Sequence, residues 1–426
     1  MAHDHEGPLA RLRRGHEELV LRQMRTHGPL NRAELGRLTG LSRTTLYDIV
    51  SALVDSGAVV ATAPAPAERR RGRPVETLTL HRDAGQAIGI DFARRAVHVA
   101  AVNVAHEVIG SASAPHGAGL SWEKRVDLAA RLVGGLAGGT LRLGALSAIG
   151  VGVVGPVHDA PATDAASTGT PATSTAASGT PATGAATTAT RAAERPGSPA
   201  GGVPRPHEDL PVLLRKRFGV PVLLDNNTRL AALAEATWGA AAGVQDVLYL
   251  RLSHGVGGGL VVGGALHRGA RGLSGEFGHI TAEPDGRRCS CGKDGCLETV
   301  ASIGAVLDAH PGAGDLDGFL AALPTDPAAR RVMDDVGTRV GTVLAAVCNA
   351  VGPHVTVLGG ELAEAGPALF EPVERALSAH LMPVSRPDID LRPATLGEVG
   401  GALGAIALVL HDSPLLTRYH TPNSVE

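Results

Sequence analysis

Cys289, Cys291 and Cys296 fall within eight residues, in Cys289-Ser-Cys291-Gly-Lys-Asp-Gly-Cys296, with two glycines that let the chain turn tightly between them. Three thiolates so spaced can converge on one cation, and a closed structural zinc site needs four N or S ligands in a tetrahedron. The nearest upstream donor is His279, in Gly275-Glu276-Phe277-Gly278-His279. The spacing therefore predicts a structural Cys₃His zinc site made by His279, Cys289, Cys291 and Cys296. Cys348, near Val347 and Ala350 on an apolar helical stretch, reads as a small core residue. Four cysteines in 426 residues, three of them clustered, exclude a disulfide framework and point to a reducing compartment.

Two glycine-rich stretches suggest other chemistry. Leu252-Ser-His254-Gly255-Val-Gly257-Gly258-Gly259-Leu260 reads as a strand broken by glycines, and Val357-Leu358-Gly359-Gly360-Glu361-Leu362 as a strand ending in a second glycine turn. Such turns can bring backbone N–H groups close to a phosphate, and two in one α/β unit suggest a nucleotide-binding ancestor. Near the N-terminus, Ser42, Arg43, Thr44, Thr45 and Tyr47 offer short donors and a guanidinium able to reach phosphates or base edges. Arg32 lies upstream of them, and Arg69, Arg70, Arg71 and Arg73 downstream.

The elements that must hold these residues follow from periodicity and caps. Leu19, Leu21 and Met24 mark a first helix that ends near Gly28-Pro29. Asn31, with Glu34 three residues later, predicts a capping box for a helix carrying Ala33, Leu35 and Leu38. Gly40 makes the turn, and Ser42 caps a helix whose apolar positions are Leu46, Ile49, Val50 and Leu53. Ala58-Val59-Val60 and Thr77-Leu78-Thr79-Leu80 read as two strands joined by the arginine loop. That layout over residues 1–82 is a winged helix-turn-helix, a fold that reads double-stranded DNA through the second helix of its helix-turn-helix pair, here the Ser42-capped one, with the arginine wing following the backbone or entering a minor groove. Charge agrees: residues 1–80 hold 12 arginines against 9 acidic residues, while the whole chain carries a net −3.

From about residue 85 strands and helices alternate, which predicts an α/β body. Ala87-Ile88-Gly89-Ile90-Asp91 is an apolar strand, 96–104 continues it as a hairpin, 122–136 is helical, and 148–154 is a strand leading into Gly155-Pro156. A helix with Leu213, Leu214 and Phe218 precedes the strand Val220-Pro221-Val222-Leu223-Leu224. Residues 158–206 are almost wholly Ala, Thr, Ser, Pro and Gly, and are expected to be a disordered insertion inside the body, because so little apolar bulk cannot offset its ordering entropy. The N-terminus has no apolar signal region and no run nears the ~20 residues that span a bilayer, so a cytoplasmic protein without membrane contact is expected.

The block from Leu252 to Glu298, with GVGGG, GEFGH and CSCGKDGCLE, resembles the ROK family of sugar kinases and sugar-responsive repressors. DFARRAVHVAAVNVAHEVIG, GVGVVGPV, VPVLLDNNTRLAALAEATWG and NAVGPHVTVLGGEL follow in the family's order, so the resemblance covers about residues 85–410 outside the insertion. It implies a two-lobed, actin-like (ribonuclease H-like) α/β body. Lobe one would span 85–225 and lobe two 226–410, with the C-terminal helix returning to lobe one and a tail at 411–426. It also implies that Asn226, Asn227, Glu276, His279 and Glu298 face a sugar in the cleft. A helix-turn-helix head is the layout of the family's regulators and not of its plain kinases.

Three departures from the kinase pattern imply that catalysis is lost. Asn227 stands where the kinases carry the general-base aspartate, and an amide cannot accept the hydroxyl proton. Asp91-Phe-Ala93-Arg-Arg95 replaces Asp-x-Gly-x-Thr, and Ser253-His254-Gly255 replaces the Thr-Gly entry to the glycine loop. Arg229 stands in place of a second asparagine and could pair with a phosphorylated or acidic ligand. The expectation is a non-enzymatic regulator, a repressor by resemblance. It would act as a homodimer or dimer of dimers on a DNA operator, in response to a sugar or sugar-derived effector. A sugar kinase with an accessory head, and a ligand-independent DNA-binding dimer, are the alternatives.

Overall fold

The computed structural model describes residues 8–62, 76–81, 85–103, 107–117, 119–136, 148–155, 157, 209–388 and 390–411. The arginine loop at 69–73, the insertion at 158–206 and the tail beyond 411 lie outside them.

The head is built from α1 (Pro8–His27), α2 (Arg32–Thr39) and α3 (Arg43–Asp55), followed by the antiparallel ribbon β1 (Val59–Thr62) and β2 (Thr77–Leu80). The capping box forms as the sequence predicts: Asn31 Oδ1 accepts from Ala33 N and Glu34 N at 3.0 Å each, and Glu34 Oε2 accepts from Asn31 N at 2.8 Å. Gly40 closes α2 at φ 67°, a left-handed conformation that glycine adopts without a Cβ penalty. Val20, Met24, Leu35, Leu46, Ile49, Val50 and Leu78 form one core. Leu19 is half-buried, Ala33 is exposed and Leu38 is 41% exposed, so the core stripe of the first two helices is narrower than their apolar content suggests. The ribbon is tied to the helices by Leu30 and Leu78, which exchange backbone hydrogen bonds of 3.1 and 2.8 Å.

The body holds two five-stranded sheets of the same design. The first comprises β3 (Gly85–Phe92), β4 (Ala96–Asn103), β5 (Val108–Pro115), β6 (Ile149–Val153) and β7 (Val222–Asn226), with α4 (Trp122–Gly135) and α5 (Leu210–Phe218). After α6 (Asn227–Thr237), the second comprises β8 (Val247–Leu252), β9 (Val256–Val262) and β10 (Ala265–His267). Its parallel strands come after α7 (Glu298–Ala301), α8 (Ile303–Ala309), α9 (Leu316–Ala322) and α10 (Pro327–Val351), as β11 (Val355–Gly359), then α11 (Pro367–His380) and β12 (Leu391–Pro393). The strand orders are β5-β4-β3-β6-β7 and β10-β9-β8-β11-β12, each an antiparallel three-strand meander continued by two parallel strands.

Between the sheets run α6 and α12 (Gly400–His411). α12 contributes Ala402 and Ile406 to the core over β3 and β4, and Ala405 and Leu408 to the core shared with α6, β8, β9 and β11. With only 2% aromatic residues, the chain fills this interface by close backbone approach. A Cβ at Gly89 or Gly150 would lie 1.8 Å from the carbonyl oxygen of Ala402 or Ala405.

Three features differ from the sequence reading. β5 is a separate strand, whose small and polar residues give it little apolar signal because it forms the sheet edge. The strand expected at 220–224 runs on to Asn226, so the strand passes directly into α6. The break in the glycine stretch falls at residues 253–255 between β8 and β9, where Ser253 N donates to Gly255 O at 3.1 Å, while Gly257, Gly258 and Gly259 lie inside β9. Their lack of Cβ admits neighbours: Thr228 Oγ1 would lie 3.1 Å from a Cβ at Gly257, Phe277 2.6 Å from one at Gly258, and the Arg229 Cα 2.9 Å from one at Gly259.

Candidate metal centre and cleft

The cysteine loop is shaped by glycines and backbone pairing. Cys289 N donates to Lys293 O at 2.8 Å, Gly292 turns at φ 93°, and Thr281 bridges Cys296. A Cβ at Gly295 would lie 1.5 Å from Glu283 O, so only glycine lets Cys296 come back to His279. The ligand atoms of His279, Cys289, Cys291 and Cys296 all lie within 4.8 Å of one another. Cys289 Sγ is 3.6 Å from His279 Nδ1, and Cys291 Sγ is 3.6 Å from Cys296 Sγ. A tetrahedron with metal–sulfur bonds of ~2.3 Å has edges of about 3.8 Å, so the four donors fit one metal ion. Burial pushes the Cys296 thiol up to about 12, while Lys293 and its backbone amide favour the Cys291 thiolate. Lys293 Nζ donates to His279 O at 2.7 Å, holding a positive charge beside the thiol cluster.

The loop is fastened to the sheet beside it. Glu298, at the start of α7, accepts from Val256 N at 3.0 Å, and Leu297 N donates to Ile280 O at 2.9 Å. Gly258 N donates to Gly275 O at 2.9 Å, which seats Glu276 and Phe277 against β9. Across β9, Thr228 and Arg229 at the start of α6 are in contact range of Gly257 and Gly259. The β9 glycines thus draw the N-terminus of α6 and the Glu276 loop together. Glu276 and His279 are half-buried, Asn226 and Asn227 buried.

Several of these side chains are committed to the protein. Asn226 Oδ1 caps α6 by accepting from Thr228 N and Arg229 N at 2.9 and 3.1 Å, and also from the Thr228 hydroxyl, while its Nδ2 donates to Gly155 O at 2.9 Å. Its amide oxygen is spent on the cap, and one N–H of Nδ2 on Gly155. Arg229 is 1% exposed and donates to Asp225 at 2.8 Å and to Gly272 O at 2.6 Å, so it is not available to an acidic ligand. Arg268 completes the cluster with a 2.5 Å bond to the other Asp225 oxygen. The clamp ties the end of β7 to the loop that leads into Glu276.

Asp91, at the end of β3, is fully buried and neither carboxylate oxygen has a hydrogen-bond partner among the described residues. Burial pushes its carboxyl well above the ordinary value of 3.8, against the pull of Arg251, His98 and Asn227. Of these neighbours, sequence reading finds Asn227 but neither Arg251 nor His98, because they come from β8 and β4 and share no local spacing with Asp91.

In the head, Arg43 and Thr44 are exposed and Tyr47 is 60% exposed, whereas Ser42 and Thr45 spend their hydroxyls on the α3 cap, 2.8 Å apart. Arg32 pairs with Glu76 and lies 5.6 Å from the Tyr47 ring. It braces α3 against the ribbon.

A helix-turn-helix head before two such sheets, with paired helices between them, is an actin-like two-lobed body carrying a DNA-reading type of head. The chain belongs to the ROK family, whose model matches residues 200–412. A glucokinase of Halalkalibacterium halodurans is 35% identical over 216 residues, 46% of this chain and 66% of that protein. A Caldicellulosiruptor protein named "Putative xylose repressor" is 25% identical over 415 residues, 92% of this chain and 95% of its own length. The chain therefore spans about two thirds of that glucokinase, and the Caldicellulosiruptor protein nearly end to end. Among solved structures, a ROK family transcriptional regulator described as a homolog of the E. coli MLC protein superposes with a TM-score of 0.68 at 22% identity, covering 96% of this chain and 99% of that one. At that identity the likeness speaks for the fold. No helix among the described residues is long and apolar enough to cross a membrane.

Proposed function

We propose that the chain is a DNA-binding transcriptional repressor responsive to a sugar or sugar-derived metabolite, cytoplasmic, dimeric and braced by one structural zinc. The observation that carries the reading is the end-to-end alignment with the Caldicellulosiruptor protein, which takes in the head as well as the body. The capped α2–α3 pair and the tethered ribbon support a winged helix-turn-helix over residues 1–82, with α3 entering the major groove. The Arg43, Thr44 and Tyr47 surface on α3 would face DNA, and the wing arginines Arg69, Arg70, Arg71 and Arg73 would follow the backbone.

In the body, Asn227, Glu276, His279 and Glu298 would surround the effector, and zinc on His279, Cys289, Cys291 and Cys296 would fix the loop that bears them. Kinase chemistry is absent in this reading. The amide of Asn227 cannot act as general base, and Ala93, Arg95 and Ser253-His254-Gly255 replace residues of the kinases' phosphate-binding pattern. Effector binding would favour one placement of the lobes and so change the spacing of the two heads, by as much as its affinities for the two states differ.

Genome-wide mapping of bound sites, followed by operator binding with a sugar panel, tests this. Sequence-specific binding released by one sugar is the expected result. ATP-dependent hexose phosphorylation by the purified chain would overturn it in favour of a kinase, and specific binding that no metabolite alters would leave a ligand-independent DNA-binding dimer.

A further inference from the structure

The centre of the outward face of α3 carries a carboxylate where a DNA-facing helix would be expected to carry cations. α3 buries Leu46, Ile49, Val50 and Leu53. At 3.6 residues per turn, the direction opposite that stripe falls on Thr44, Asp48, Ser51 and Asp55, with Arg43 and Tyr47 to one side. Asp55 is the last residue of α3, about two turns beyond Asp48 and away from the end that enters the groove, which leaves Asp48 as the carboxylate near the bases. Thr44 and Asp48 are exposed, and Ser51 is half-buried. Arg32, stacked near Tyr47 and paired with Glu76, occupies the flank, and Asp48 has no hydrogen-bond or ion-pair partner among the described residues.

A carboxylate brought to the floor of a major groove is repelled by the phosphates on either side, so it is tolerated only against a base edge that donates. Guanine and thymine present acceptors there. Adenine presents N6–H₂ beside the N7 lone pair, which repels a second acceptor. Cytosine presents the N4–H₂ donor without a neighbouring acceptor, and acidic side chains accept from it. We propose that Asp48 determines specificity by accepting a hydrogen bond from cytosine N4, fixing one C·G pair in each half-site. The proposal rests on the DNA-binding reading above.

Selection from a randomised duplex pool with the full-length protein, followed by competition titrations, tests it. The wild-type protein is expected to require cytosine at one position per half-site, with replacement by thymine weakening binding by roughly 10-fold or more. Asp48→Ala should lose preference at that position and keep it at the others. Asp48→Asn should move the preference toward adenine, whose N6 and N7 an amide matches. Asp48 is exposed, so both variants should unfold as the wild type does. If Asp48→Ala selects the same base as the wild type at every position, the proposal is overturned while the DNA-binding reading stands. If the wild-type protein enriches no sequence, the DNA-binding reading falls and takes the proposal with it.

Discussion

Asp225 and Asp91 are carboxylates buried to the same degree with opposite surroundings. Asp225 is paired by Arg229 and Arg268, whereas Asp91 has no hydrogen-bond partner among the described residues. The first pair was legible, because Asp225 and Arg229 stand at i, i+4 where a helix begins. That signal is easily passed over when the arginine is read as a ligand contact. Asp91's surroundings were not legible, since they come from distant strands. Its folded pKa is raised, so the native state holds the proton more tightly than the unfolded chain does. Stability is therefore full below the ordinary value of 3.8, falls as pH rises toward the raised folded pKa, and stays low above it. Asp91→Asn should remove that fall and raise stability by about 1–3 kcal/mol at pH 7, measured by urea unfolding between pH 4 and 8. At the cysteine cluster the types and spacing told nearly everything, because metal ligands must be close in space and three are close in sequence. On the proposed zinc site, the wild-type protein should carry one zinc per chain, and Cys289→Ser should drop that to a small fraction and lower Tm by roughly 5–10 °C, read by elemental analysis and calorimetry.

Helices and strands were legible where burial imposes a period, and hidden where it does not. The capping box, α3 and β2 stand where spacing places them, because caps and apolar stripes are local. β5 escaped because an edge strand of Ser, Ala and Gly carries no alternating apolar signal. The glycine stretch was half legible for a related reason: glycine marks both a tight turn, as at residues 253–255, and a close approach, as at Gly257, Gly258 and Gly259, and only the packing of α6 and Phe277 distinguishes the two. Gly89 and Gly150 are close-approach glycines of the same kind, letting α12 lie on β3 and β6. Gly150→Ala would force a Cβ within 1.8 Å of the Ala405 carbonyl oxygen, a backbone atom that no rotamer change can move. The loss should exceed the ~1–3 kcal/mol of ordinary overpacking and expose α12 to protease. Gly134→Ala, in the last turn of α4 and with nothing inside 4 Å among the described residues, is the matched control. It should gain about 0.5–1 kcal/mol from helix propensity, and thermal unfolding of the two proteins side by side gives both numbers.

For the whole molecule, charge is divided by task. The net −3 combines an arginine-bearing head with an acidic body, so long-range attraction to DNA must come from the head alone. The described surface of α3 contributes little to it, since Arg43 is offset by Asp48 and Asp55. On the proposed function, that division puts phosphate attraction on arginines outside α3, Arg69, Arg70, Arg71 and Arg73 among them, and leaves α3 to discriminate between bases. Replacing those four arginines with alanine should then weaken binding to operator and to random duplex by similar factors. It should also flatten the dependence of log affinity on log salt by up to ~0.9 for each phosphate that is no longer neutralised, while leaving the selected sequence unchanged. Fluorescence anisotropy on both duplexes between about 50 and 300 mM salt, the range over which counterion release changes affinity steeply, measures these quantities. A variant whose sequence preference changes while its salt slope holds would reverse the division, giving the wing the reading and α3 the attraction.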